Sequence, residues 1–153
     1  MATILGYDDD GEGRAALGRA GVRLHSVVPG TVEIDEATLA SALPDHARSV
    51  RGEMTADVPD EAQADVGMGA WHVNDVDELH VVTAGRGIMQ FLTPDGPVAV
   101  VVEGGDVIEI HRAEHRYRPL TEQGWIIRHA AEPDADMVAS ETGRAPGPWP
   151  TAP

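Results

Sequence analysis

The 153-residue chain has no cysteine and no lysine; all 11 of its basic Lys/Arg positions are arginine. Without cysteine there is no disulfide, no thiolate nucleophile, no zinc ribbon and no thiolate-held iron–sulfur cluster. Without lysine there is no Schiff base, no pyridoxal-phosphate anchor and no P-loop lysine. Acid, base and nucleophile roles fall to His, Asp, Glu, Ser, Thr, Tyr or a metal. Basic charge is scarce too: 26 acidic residues leave a formal net charge of −15. Nucleic-acid binding depends on a basic face that neutralises phosphate, and no such stripe exists. An anionic membrane surface is disfavoured for the same reason. No apolar run reaches the length of a membrane span. The opening MATILGYDDDGEGR lacks the basic and apolar regions of a signal peptide, so the expectation is a cytoplasmic protein.

What is present fits one soluble globular domain, 42% hydrophobic and 24% charged. Asp8-Asp9-Asp10-Gly11 reads as a loop and Arg14 to Ala20 as a short helix stopping at Gly21. Val22 to Val28 alternates like a strand, and Asp35 caps a helix over Glu36–Leu43, with a second start at His46–Arg51 after Pro44. Gly52 to Asp65 is acidic and irregular. Beyond it come short apolar runs bounded by turns: Glu78–Ala84, Ile88–Leu92, Val98–Val102, Val107–Ile110 and Trp125–Ala130. Strands so evenly spaced predict an antiparallel sandwich or small barrel. Gly85-Arg86-Gly87 between two of them reads as a hairpin turn. The tail from Gly143, with Pro146, Pro148, Pro150 and Pro153, predicts an extended surface or disordered segment. The chain thus divides into a helical and strand N-terminal part (1–64), a β core (65–131) and a Pro/Gly-rich tail (132–153).

Five of the seven histidines lie between positions 72 and 129. Positions 72, 74, 78 and 80 share parity, so in one extended run His72, Asn74, Glu78 and His80 face the same side of a sheet. Two imidazoles, a carboxamide and a carboxylate inside a barrel are costly to bury unpaired. A divalent cation satisfies them together, and the donor set suits Fe(II), Ni(II), Mn(II) or Zn(II). His115 begins a later strand and completes the set from across the barrel. By parity Ile108 and Ile110 point inward and His111 outward, which favours His115 over His111. Tyr117 shares the parity of His115 and, with Arg128, is a candidate lining residue; a core phenol and a surface ion pair are the alternatives. His25 and His46 have no partner in the sequence and read as ordinary hydrogen-bonded histidines.

At these residues the chain resembles a family. His72-x-Asn74-x3-Glu78-x6-Gly85 resembles the first cupin motif, His-x-His-x3-Glu-x6-Gly, and Gly105-Asp106-x4-His111-x3-His115 resembles the second. Gly21-Val22-Arg23, Asp77-Glu78, Ala84-Gly85-Arg86-Gly87, Ile127-Arg128 and Glu132-Pro133 are similar to acireductone dioxygenases within the cupins. The resemblance implies a mainly β fold, a cupin-type antiparallel β-barrel or jelly roll with short N-terminal helices, as one domain over 1–153. It implies one divalent metal, Fe(II) or Ni(II) first, held by His72, Glu78 and His115, and a small enediol or catechol-like substrate oxidised by O₂. Asn74 stands where the family has a second histidine, leaving either an amide ligand or a set of two histidines and one carboxylate. His80 stands where those enzymes place an arginine, and is a candidate general base or a ligand in place of Asn74. The turn before His115 lacks the family's Pro and Gly. Two other readings stay open: a metal-dependent isomerase, cyclase or lyase that does not use O₂, and a non-catalytic small-molecule-binding cupin. Pairing into a homodimer through exposed strands is also open.

Overall fold

Strands with one apolar face must bury it against a second layer, and this chain supplies the layer from its own strands. The computed structural model describes residues 1–26, 52–129 and 138–153. It opens with β1 (Thr3–Ile4), α1 (Asp10–Arg19) and β2 (Val22–Ser26), and resumes with β3 (Gly52–Ala56), a 3-10 turn at Gly67–Gly69 and β4 (His72–Asn74). Then follow β5 (Glu78–Ala84), β6 (Arg86–Thr93), β7 (Gly96–Glu103), β8 (Asp106–Ile110), β9 (His115–Pro119), β10 (Gln123–His129) and β11 (Ala139–Glu141). They pair into a six-stranded sheet, β1-β7-β6-β9-β4-β11, and a five-stranded sheet, β2-β8-β5-β10-β3. From β4 onward the chain changes sheet at every connection except the β6–β7 hairpin. This is the two-sheet jelly-roll arrangement expected from the sequence.

The two inner faces make the core. Leu24, Val82, Ile108, Ile110 and Trp125 face Met89, Phe91, Val98, Val100 and Tyr117, and Ala16 and Leu17 of α1 join them. Burying each such aliphatic side chain contributes about 1.5–3 kcal/mol. The outer face of the six-stranded sheet is covered as well, with Ile88, Ala99 and Val101 packed against Trp149 and Ala152 of the tail.

That tail is extended, as its prolines dictate, and it is tied down. Arg116 on β9 is fully buried, with its guanidinium 3.8 Å from the centre of the Trp149 ring and 5.5 Å from that of Trp71. It donates to Gln90 Oε1 (2.7 Å), Asp65 Oδ1 (3.2 Å) and the carbonyls of Gly147 (3.2 Å) and Pro148 (3.3 Å). Asp65 Oδ1 also accepts from Trp149 Nε1 at 2.9 Å. A planar fork of donors stacked on an aromatic face is a task for arginine rather than lysine.

Several expectations need correction. Gly85-Arg86-Gly87 is not a hairpin: β5 and β6 lie in different sheets, and Gly85 is the corner between them. It has φ +76°, and a Cβ there would lie 2.1 Å from the carbonyl oxygen of Glu122, so only glycine fits. Residues 52–56, read as irregular, form the edge strand β3 against β10; an edge strand is held by backbone pairing and needs little apolar alternation. The first helix starts at Asp10 because Asp9 caps it, its carboxylate accepting from Gly11 N and Glu12 N. The run 72–80 is not one strand, since it breaks between Asn74 and Glu78. The helices expected at Glu36–Leu43 and His46–Arg51 lie outside the described residues, as do Val27, Val28, Ala130 and Glu132-Pro133.

In the turn before His115, Arg112 lies in the left-handed region, at φ 55°. A side chain there costs about 1–2 kcal/mol, partly returned through the freer unfolded chain of a glycine. Arg112→Gly should therefore stabilise the protein by about 0.5 kcal/mol, read as a higher urea midpoint at unchanged slope. A lower midpoint would show that the exposed Arg112–Asp77 pair, 3.6 Å apart, outweighs the strain.

Candidate functional site

β4 and β9 are neighbours in the six-stranded sheet, and their one registered pair is His72 opposite His115. The two rings stand 4.4 Å apart, centre to centre. Each is tethered the same way. His72 Nδ1 donates to the carbonyl of Ala70 (2.7 Å) and His115 Nδ1 to that of Ala113 (2.8 Å). A carbonyl can only accept, so the proton sits on Nδ1 and the neutral ring keeps its lone pair on Nε2. Ligand histidines are commonly oriented by this kind of second hydrogen bond.

β5 brings Glu78 from the opposite sheet. Its carboxylate is buried; Asn74 Nδ2 donates to Oε1 at 3.0 Å, and His115 Nε2 lies 3.4 Å from the same oxygen. Burial alone would push the Glu78 carboxyl up. Against that, His115 when protonated, by hydrogen bond and by charge, and then the charges that His80 and His72 carry when protonated, hold the pKa below its ordinary value. Burial, then repulsion from His115, holds His72 below its own. Among the described residues no group of three or more His, Cys, Asp or Glu side chains stands at the geometry of a metal cage. The Glu78 carboxylate instead leans on His115 and Asn74.

His80, two residues along β5, is buried, and its Nε2 has no hydrogen-bond partner. Burial first, then the charge of His115, outweighs the pull of Glu78 and lowers its pKa to about 4, so the ring is neutral at neutral pH. Its neighbours are Tyr117 (5.7 Å between ring centres) and Trp125 (5.6 Å). All of these residues line one cavity of about 320 Å³, together with Met54, Met68, Met89, Ile127 and Glu141. The structure therefore brings His72, Asn74, Glu78, His80 and His115 to one cavity although they come from both sheets. Tyr117 joins them, whereas Arg128, with the parity of the outward Ile126, is buried on the other face of β10. Trp125 was read from sequence only as the start of a strand; its shared parity with Ile127 is the signal that could have placed it in the cavity.

His111 lies outside the cavity. Its Nδ1 faces Asp77 Oδ2 (3.1 Å) and its Nε2 faces Glu109 Oε1 (2.7 Å), while Glu109 Oε2 meets His25 Nε2 (3.0 Å). A ring with a carboxylate at each nitrogen is best satisfied as imidazolium. Partial burial lowers its pKa, but the hydrogen bonds and charges of Asp77 and Glu109 raise it further, for a net rise. A histidine pKa raised by folding stabilises fully below the ordinary value of 6.5, and that contribution is lost as pH rises through the folded value. The depressed His72 and His80 act in the opposite sense, losing stability as pH falls below 6.5. The contrast with a variant isolates His111. Between pH 6 and roughly 8.5, wild type should lose more of its urea midpoint than His111→Gln; parallel curves would mean that the cluster does not hold the proton.

Two antiparallel sheets, with the chain crossing between them at nearly every turn, make this a cupin fold. Among solved structures it is similar to an acireductone dioxygenase from Bacillus anthracis with a cadmium ion in its active centre, at 18% identity and a TM-score of 0.57 over 84% of this chain and 90% of that one. A looser match, at 14% identity and a TM-score of 0.42 over 69% of this chain and 96% of the other, is a DUF861 family protein from Thermotoga maritima. At these identities the likeness is one of fold. No protein-family model matches the chain, and no curated protein does. No helix among the described residues is long and apolar enough to cross a membrane.

Proposed function

We propose that the chain is a metal-dependent cupin dioxygenase that oxidises a small enediol or catechol-like molecule with O₂. One observation carries the reading. In its neutral form His115 carries its proton on Nδ1, where the Ala113 carbonyl accepts it, so at 3.4 Å the Nε2 lone pair faces the Glu78 carboxylate. Two acceptors buried face to face repel unless a proton or a metal cation lies between them. The donors fit such an ion. His72 Nε2, His115 Nε2 and the Glu78 carboxylate make the two-histidine, one-carboxylate set of non-haem Fe(II) oxygenases. The acireductone dioxygenase of similar fold, with its cadmium ion, supports a divalent metal at this place.

A divalent ion held by His72, Glu78 and His115 would supply a Lewis acid and, if redox-active, a centre for chemistry with O₂. The chain's own residues do the rest. Asn74 spends its amide N–H on Glu78, so it acts here as a positioning residue that keeps the carboxylate turned toward the two imidazoles. His80 presents an unpartnered Nε2 to a substrate hydroxyl and can hold or return its proton there. Trp125, Met89 and Ile127 keep the cavity apolar around these groups and exclude water from them.

The test is metal content and oxygen uptake together. Protein reconstituted with Fe(II) should hold about one ion per chain, and His115→Ala should weaken binding by more than about a hundredfold. Asn74→Ala should weaken it by only about 10–100-fold, the usual cost of removing a group that orients a ligand. Loaded wild type should consume O₂ with reductic acid or 4-methylcatechol. No uptake with either under saturating Fe(II) overturns the dioxygenase reading. Retention of metal by the His115 variant overturns the site.

A further inference from the structure

The cavity has a buried floor and an exposed rim. Glu78, His80, His115, Tyr117 and Trp125 are each more than nine-tenths buried, His72 is half-buried, and Met54, Met68 and Glu141 are exposed. A molecule entering from solvent passes these last three first and leaves its trailing end among them. Glu141 owes its place to register. It stands opposite His72 across the β4–β11 pair, as Ala139 stands opposite Asn74, and residues opposite one another on antiparallel strands point to the same face. Glu141 therefore shares the cavity side with His72. Its charge is felt at that ring, behind burial, His115, the Ala70 bond and Glu78. Among the described residues its carboxylate has no hydrogen bond or ion pair. Nor does the cavity hold a compensating cation: the chain has no lysine, and no arginine is among the described lining residues. The adjoining cavity of about 290 Å³, which shares Gly67, Met68 and Tyr117, adds Asp57 and again no arginine.

We propose that Glu141 selects ligands by the charge of their trailing end. An apolar chain ending in a cationic group is preferred, a neutral chain is accepted, and one ending in a carboxylate or phosphate is disfavoured. Met54 and Met68, flexible and polarizable, pack against the apolar part of that chain. The field of the whole molecule acts in the same sense, since a net charge of −15 concentrates cations at the surface and repels anions. The proposal rests on the reading of this cavity as the site of a catechol-like molecule, but not on the metal or O₂.

The probes are dopamine, 4-propylcatechol and 3-(3,4-dihydroxyphenyl)propionate, whose side chains end in an ammonium, a methyl and a carboxylate at the same distance from the ring. Anaerobic ligand-observed NMR titrations at low ionic strength, with Zn(II)-loaded protein and again in EDTA, give the dissociation constants. An exposed ion pair changes affinity a few-fold, so attraction of one probe and repulsion of the other predict about tenfold tighter binding of dopamine than of the propionate. That preference should fall to about threefold or less in about 0.5 M NaCl. Glu141→Gln should bring it to about threefold or less at low salt, and Glu141→Arg should invert it. In both variants 4-propylcatechol binding stays within about twofold and reports that the cavity is intact. Glu12→Arg on α1 makes the same change in net charge away from the cavity and should leave the preference as in wild type; an equal shift there assigns the effect to net charge and overturns the role of Glu141. Equal binding of the three probes, tightest binding of the propionate, or a preference that survives Glu141→Arg overturns the proposal and leaves the cavity as the ligand site. Binding of none of them overturns the ligand site and the proposal with it. The same order of affinities in EDTA upholds the proposal even where metal loading or oxygen uptake fails.

Discussion

Burying the Glu78 carboxylate is the constraint that organises the centre of this molecule. An isolated charge inside an apolar barrel is too costly to keep, so the chain must deliver partners to it from elsewhere. It does so across the gap between the sheets: Glu78 stands on β5 of the five-stranded sheet, while Asn74 on β4 and His115 on β9 belong to the six-stranded one. The break between Asn74 and Glu78 makes this geometry available. A continuous strand would have set the two side chains along one face, about four residues apart in extension, and the 3.0 Å hydrogen bond between them could not form.

A second buried charge governs the opposite face. Arg116 neighbours His115 in sequence, so the alternation of β9 sends one inward to the cavity and the other outward. There Arg116 binds Gln90, Asp65 and the carbonyls of residues 147 and 148, and stacks on Trp149. The tail that these bonds hold also seals Ile88 and Val101. The strand that presents the His115 imidazole is therefore braced from behind.

Much of this was legible in the residues. The limits of β5 follow from its apolar run, and β6, β7, β8 and β10 lie within a few residues of theirs, because a strand buried on one or both faces writes its own periodicity. The shared parity of 72, 74, 78 and 80 pointed to one cavity, though the premise of a single strand was wrong: two short strands in opposite sheets each turn the same parity inward. What could not be read was pairing. Gly85 has the positive φ of a hairpin turn, yet the same local chemistry serves a corner between sheets, and only the distant partners β8–β10 and β7–β9 decide which it is. β3 was missed because its stability comes from β10, not from its own alternation. Arg116 was missed because one arginine in a strand carries no mark of burial until Trp71 and Trp149, far apart in sequence, close over it.

The cavity that results has two unlike ends. Near β4 lie the two tethered imidazoles of His72 and His115 and the Glu78 carboxylate. On its other side Tyr117 and Trp125 pack edge to face, with His80 beside them. That asymmetry follows from the register of β9, since His115 and Tyr117 are two residues apart on the same inward face, one beside the Glu78 carboxylate and the other against Trp125. The fold thus specifies where the inward positions are, and the chemistry of the cavity is decided by which side chain occupies each.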